Sequence, residues 1–399
     1  MVNFDPASDA FARDPYRVYR ELRQTHPFYR SDATPGVTYL SRYQHIEDVL
    51  RDRRFQRVLS PAESTPSDNQ HLSLYDRYIG INLLEMEGAE HDRLRRVISR
   101  NFAPVQLKML KPGIESLVRE LIQGVAGKGS MEFIEEVAVP LSVNVISELL
   151  GWPATQGHKL RGLSATILRL YEPDASRADA EAAETATEEF VSLMNELIRQ
   201  RLAEPRQDLL SALLYAETQG EISREEVVAS SIMLLNAGHE SSVNGAGNGL
   251  LALLRHPRQL RLLRADLPLM ARAVEEMLRY DGPLQYFHRF ATEDLEFHGQ
   301  HFRRGDKLGL LYGAANRDPD VFPGADEFRV DRYPNRHLAF GRGVHHCIGA
   351  PLARMELNLL FTALVQRLPE LQLSDENVEF HPGLVFRGVK QLRLRWDAR

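Results

Sequence analysis

Helical periodicity constrains this chain more than any other feature. Apolar residues recur at helical spacing in stretches near 15–26, 44–53, 88–101, 105–125, 130–151, 179–203, 207–218, 222–255, 268–280 and 350–368, and the pattern predicts helices there. Asp266 and Pro268 supply a start signal for the 268–280 helix. His256 and Pro257 close the 222–255 helix, because the residue before a proline disfavours α geometry. Strand-like runs are shorter, at 36–40, 287–292, 308–312 and 391–396, and most fall in the last third. This segregation predicts a mainly α fold with small β-sheets. The polar, Ala-rich stretch 172–189 reads as a loop leading into a solvated helix face.

The chain has 399 residues, enough for two or three domains or one large one, and enough to bury a substantial core. There is no internal repeat and no long Gly, Ser or Pro linker. Forty-nine basic residues against 55 acidic ones give a net charge of −6. That argues against a nucleic-acid binder, whose footprint is a basic excess. The N-terminal stretch carries charges throughout and lacks the apolar core of a signal peptide. The most apolar stretch, 227–254, is interrupted by His239, Glu240 and several Ser and Asn. It falls short of the roughly 18 uninterrupted apolar residues of a membrane span. No membrane partner and a cytoplasmic location are therefore expected.

There is one cysteine, Cys347. It excludes an internal disulfide and any metal site built from several thiolates of this chain. Cys347 stands in Phe340-Gly341-Arg342-Gly343-Val344-His345-His346-Cys347-Ile348-Gly349, just ahead of an amphipathic helix with Leu352, Met355, Leu359 and Leu360 at helical spacing. A helix N-terminus stabilises a thiolate. Glycines at 341, 343 and 349 allow sharp turns and close approach of a flat ligand. Taken alone, a lone cysteine is more often a buried structural residue.

The pattern Phe-Gly-x-Gly-x-His-x-Cys-x-Gly resembles the haem-binding loop of the cytochrome P-450 family at every fixed position. The resemblance extends over about residues 10–396 and implies an α-rich triangular fold, a single domain over 1–399. It implies heme b, iron protoporphyrin IX, with Cys347 as its axial thiolate ligand, Phe340 packed on the proximal face, and Gly341 and Gly349 in the binding loop. His345 would donate to a haem propionate, and His346 would point elsewhere. His91 and Arg95, spaced as His-x-x-x-Arg, and Arg289 are the further propionate partners it implies; guanidinium groups suit carboxylates. The neighbouring Arg93, Arg96 and Arg100 read either as a basic patch for an acidic electron donor or as a solvated helix face.

Glu276 and Arg279 stand three apart on one helix face and, alone, would be an ordinary ion pair. They resemble the family's Glu-x-x-Arg element, with Arg332 as the third, structural member. In the long helix, Ala237-Gly238-His239-Glu240-Ser241 resembles the distal oxygen-activation segment. Gly238 would leave room for dioxygen and permit a local opening of the helix. Glu240 and Ser241 would relay protons. Serine stands where threonine is usual, so the hydroxyl is less firmly held.

The resemblance implies a monooxygenase that hydroxylates or epoxidises a small, mainly hydrophobic organic substrate. No flavin or dinucleotide module is visible, so electrons would come from a ferredoxin, or a flavodoxin, with an NAD(P)H-dependent reductase. A monomer is expected. The implied pocket draws on Met233, Asn236 and Ala237, on Leu284, Gln285, Tyr286 and Phe287, on Leu384, Val385 and Phe386, and on loops near 57–87 and 165–180. Asn236 would bind substrate or an ordered water. Rival readings are a peroxide-driven peroxygenase, a haem-thiolate isomerase or dehydratase, a haem-based sensor, and a haem-free protein with an inert cysteine.

Overall fold

The computed structural model describes residues 2–31, 34–59 and 73–397. The chain separates into two compact units, one of Met1–Phe55, Lys111–Leu141 and Ser241–Arg399, the other of Gln56–Leu110 and Ser142–Glu240. The long helix Arg224–Arg255 contributes to both. Helices predominate, as the periodicity predicts.

The strands are β1 Phe28–Arg30, β2 Val37–Leu40, β3 Phe55–Gln56, β4 Ser130–Glu132, β5 Tyr286–Ala291, β6 Leu295–Phe297, β7 Gln300–Phe302, β8 Lys307–Leu311, β9 Gln372–Leu373 and β10 Arg393–Arg395. In the first unit they form a five-stranded sheet of order β1-β2-β8-β5-β3, a three-stranded sheet β4-β10-β9 and a hairpin β6-β7. Within the larger sheet β2 and β8 run parallel and β5 antiparallel to β8. Leu40, Leu308 and Leu310 of this sheet pack with Ile46, Val49, Tyr312 and Leu338 in a buried cluster.

Two local readings are corrected. Residues 130–132 are not helical: Glu132 pairs with Arg393, its carboxylate accepts the Leu392 N–H at 2.7 Å, and Phe133 N–H donates to Leu392 O at 2.9 Å. A distant strand partner overrides the local pattern there. A wide π-type turn, Ile134–Ala138, then leads into the helix Val139–Leu150. Pro257, read as a stop, also starts a helix, Pro257–Ala265, because a first-turn proline has no N–H to satisfy. Helices Ser73–Ile79 and Gly157–Leu168 were not anticipated either.

In the second unit Gly157–Leu168 packs along Arg177–Ala203. The latter helix starts at a capping box in which Ser176 and Asp179 satisfy each other's backbone N–H. Its Ala180, Ala183 and Thr187 are buried, so this Ala-rich face serves packing rather than solvation.

The Glu276 carboxylate organises the C-terminal part of the first unit. It is fully buried on the helix Met270–Tyr280. Arg279 grips it through two bonds of 2.7 and 2.8 Å, and Arg332 Nε lies 3.1 and 3.0 Å from its two oxygens. Asn335 Nδ2 and the Arg329 N–H add two more. The remaining guanidinium N–H groups bind the carbonyls of Asn316, Pro323, Gly324, Ala325 and Glu327. Removing one partner of a buried charge cluster is costly, because the others stay desolvated and unpaired. Glu276→Gln is therefore expected to lose about 3–5 kcal/mol of stability in denaturant melts; a loss below about 1 kcal/mol would match a surface pair instead.

Candidate functional site

The cysteine loop is built in the first unit. Asn316 Oδ1 accepts the Leu338 N–H at 2.7 Å and anchors its start. Gly341 N–H donates to Leu338 O at 2.9 Å, and Cys347 N–H donates to Phe340 O at 2.9 Å, closing the loop. Gly341 and Gly343 have φ of +64° and +71°, the left-handed region that disfavours other residues. A Cβ on Gly343 would also lie 2.1 Å from the Leu50 carbonyl oxygen, so only glycine fits. Gly349 differs: its φ of −81° suits any residue, and the sequence argument for backbone freedom does not apply to it. Cys347 is exposed just ahead of the helix Ala350–Arg367, whose N-terminal N–H groups favour a thiolate.

The basic candidates divide between the units. His91, with 1% exposure, and half-buried Arg95 lie one turn apart on the helix Gly88–Ser99 of the second unit. Arg289, buried on β5, and half-buried His345 belong to the first, as does half-buried His346. Of the neighbouring arginines, Arg93 pairs with Glu90 and Glu226, and Arg100 lies 2.8 Å from Glu221. Of the three, only Arg96 is exposed without an ion pair among the described residues, so the pairing favours the solvated helix face of the two readings.

The long helix is continuous through Gly238. Gly238 also packs closely, since a Cβ there would lie 3.0 Å from Ile146 Cδ1. Residues 227–236 and 243–253 are buried, whereas Ala237 is exposed and Gly238, Glu240, Ser241 and Ser242 are half-buried. A short run of small and proton-carrying side chains is thus left uncovered in an otherwise buried helix. Within the first unit, a soft sulfur donor in a glycine-shaped loop, buried Arg289 and half-buried His345 have the chemistry to fit an iron porphyrin and its carboxylates.

In the second unit Met233 and Asn236 are buried on the long helix, and Asn236 Oδ1 has no hydrogen-bond partner among the described residues. In the first unit the other pocket candidates come together. Leu284 bridges Phe386, and the Gln285 N–H donates to Val385 O at 2.9 Å, which sets Tyr286 and Phe287 alongside 384–386. The Gln285 amide nitrogen donates to Gly282 O at 2.7 Å and lies 3.3 Å from the Tyr16 hydroxyl. That side chain braces the strand entrance toward the N-terminal helix Pro15–Thr25. Of the loop 57–87, residues 60–72 lie outside the described residues.

Two residues escaped the sequence reading. Glu356 is buried in the helix after the cysteine, 3.5 Å from the Ser242 hydroxyl of the long helix. Burial pushes its carboxyl up to about 7, with the Ser242 contact opposing. The signal was available: Glu356 lies midway between Leu352 and Leu360 at four-residue spacing, and the buried stripe includes it rather than Met355. His239, with 1% exposure, has no hydrogen-bond partner for either ring nitrogen among the described residues. Burial, aided by Arg161 and His158, pulls its pKa down to about 4 and keeps it neutral at pH 7.

Among the described residues no helix is long and apolar enough to cross a membrane. The family model described as Cytochrome P450 matches residues 142–264 and 261–385. The biotin biosynthesis cytochrome P450 of Bacillus subtilis is 35% identical over 393 residues, 98% of each chain. The 6-deoxyerythronolide B hydroxylase of Saccharopolyspora erythraea is 33% identical over 412 residues, 99% of each chain. The crystal structure of P450BioI in complex with acyl carrier protein bearing hexadec-9Z-enoic acid superposes with a TM-score of 0.91 at 35% identity, covering 97% of this chain and all of that one. With the cysteine loop, the Glu276 cluster and the long helix in place, the chain belongs to the cytochrome P450 family of haem-thiolate monooxygenases.

Proposed function

We propose that the chain, as one domain over 1–399, holds heme b through the Cys347 thiolate and oxygenates a small, mainly hydrophobic organic substrate in the cytoplasm. Electrons come from a ferredoxin or flavodoxin and its NAD(P)H-dependent reductase. The observation that carries this reading is the glycine-shaped loop presenting Cys347 at a helix start. When bound, the iron porphyrin supplies the reductive activation of dioxygen.

The chain's own groups supply position and protons. His91, Arg95, Arg289 and His345 would pair with the porphyrin carboxylates. Glu240 and Ser241 would move protons along the uncovered stretch of the long helix, with Glu356 and Ser242 as a second acid–hydroxyl pair. Asn236 gives an apolar pocket a polar group that can orient substrate. The hydrophobic substrate class draws support from relatives whose names mention 6-deoxyerythronolide B and a fatty-acyl carrier protein.

Isotope labelling tests the reaction. Holoprotein with a ferredoxin, its reductase, NADPH and a substrate found by spectral shift should place one atom of labelled dioxygen in the product. Product formed with peroxide but never with the electron-transfer system would overturn the reading. Ser241→Ala should lower coupled turnover at least about tenfold and raise peroxide release per NADPH.

Glu356 generates a pH prediction. Its proton is held more tightly in the folded chain than in the unfolded one. Between about pH 4.5 and 7 the native state therefore binds more protons, and raising the pH across that window lowers stability. Glu356→Gln should gain stability relative to the parent as pH rises, by up to on the order of 3 kcal/mol above pH 7. Denaturant melts at pH 5 and pH 8 check this; an equal difference at both would contradict it.

A further inference from the structure

A charged chain of contacts in the first unit ends on the ring of Phe340. Arg354, on the helix after the cysteine, lies with its guanidinium carbon 4.5 Å from the Phe340 ring centroid. Glu275 holds that guanidinium with two bonds, Nε to Oε1 at 2.7 Å and Nη2 to Oε2 at 2.9 Å. The same Oε2 lies 3.0 Å from His337 Nε2. His337 is itself buried, and its Nδ1 accepts the Ala339 N–H at 3.2 Å. That acceptor role leaves the proton on Nε2, so the imidazole donates to Glu275. The His337 ring is also 6.0 Å from the Phe340 ring.

The arrangement fixes each member in turn. His337 is oriented by its own chain, Glu275 by His337, and Arg354 by a planar two-bond fork that lysine cannot reproduce. Phe340 also carries the carbonyl that closes the cysteine loop through Cys347 N–H at 2.9 Å. Displacement of the Phe340 backbone is therefore passed to the backbone at Cys347. We propose that Arg354 is a positioning residue, held by Glu275 and His337, that pins Phe340 and through it sets the geometry and electrostatic surroundings of the Cys347 sulfur. It rests on the reading that Cys347 ligates haem. The clamp acts through the aromatic ring and the loop closure.

Two readouts on the purified holoprotein test the clamp without turnover. One is the reduction potential of the ferric/ferrous couple. The other is the rate at which the ferrous carbon-monoxide form loses its thiolate-type Soret band. Arg354→Leu removes the positive charge over the Phe340 ring and frees that ring. The potential should shift negative, and the band should decay about two- to fivefold faster, the scale of a cation–π contact. Arg354→Lys should restore part of the potential but less of the band lifetime, and Glu275→Gln should shorten the band lifetime as Arg354→Leu does while shifting the potential positive, because it leaves the guanidinium uncompensated. In a Phe340→Leu background, Arg354→Leu should have little further effect on the band lifetime. An unchanged potential and lifetime in Arg354→Leu would overturn the proposal, as would an equal effect with and without Phe340. So would a loss confined to reduction by the ferredoxin, which would make Arg354 a docking residue. If the parent protein itself shows no thiolate-type band, the haem-ligand reading has failed rather than the clamp.

Discussion

One buried carboxylate holds the chemistry-bearing end of this chain in place. Glu276 is charged chemistry in an interior that disfavours charge, and the protein answers with two guanidinium groups, an asparagine amide and a backbone N–H on its oxygens. The arginines then direct their other N–H groups at carbonyls between 316 and 327. A long irregular segment, which has few strand or helix bonds of its own, is thereby laced onto one helix. The side chain of Asn316 hands that order onward to Leu338, where the cysteine loop begins.

The loop converts this rigidity into an exposed sulfur. Left-handed glycines at 341 and 343 fold it back on itself, and the Phe340 carbonyl closes it on Cys347. The helix that follows supplies N-terminal N–H groups for a thiolate, a buried acid at Glu356 and the guanidinium of Arg354. The first two turns of one helix thus serve the sulfur, a buried acid and the aromatic packing. The long helix adds Ala237, Gly238, Glu240, Ser241 and Ser242, small or polar residues that are exposed or half-buried in an otherwise largely buried element.

Much of this was legible in sequence because short motifs encode it. Helix positions followed from period, and the cysteine loop, the Glu276–Arg279 pair and Arg332 followed from the resemblance to the cytochrome P-450 family that those motifs carry. The misses share a cause: they depend on partners distant in the chain. Residues 130–132 read as helix until Leu392 and Arg393 supplied strand bonds. The run at 93–100 stood open between a basic patch and a solvated helix face until the ion pairs with Glu221 and Glu226 appeared. Arg354, Glu275 and His337 are unremarkable charges apart, and only the fold assembles them around one ring.

The central claim is that sulfur at position 347 binds iron in a porphyrin. The most direct measurement is the ferrous carbon-monoxide difference spectrum of the purified chain beside Cys347→Ser. The parent should carry iron protoporphyrin IX and show the red-shifted Soret band of a thiolate-ligated complex, and the serine variant should lose that band. A parent without porphyrin, or a serine variant with an unaltered band, would contradict the account.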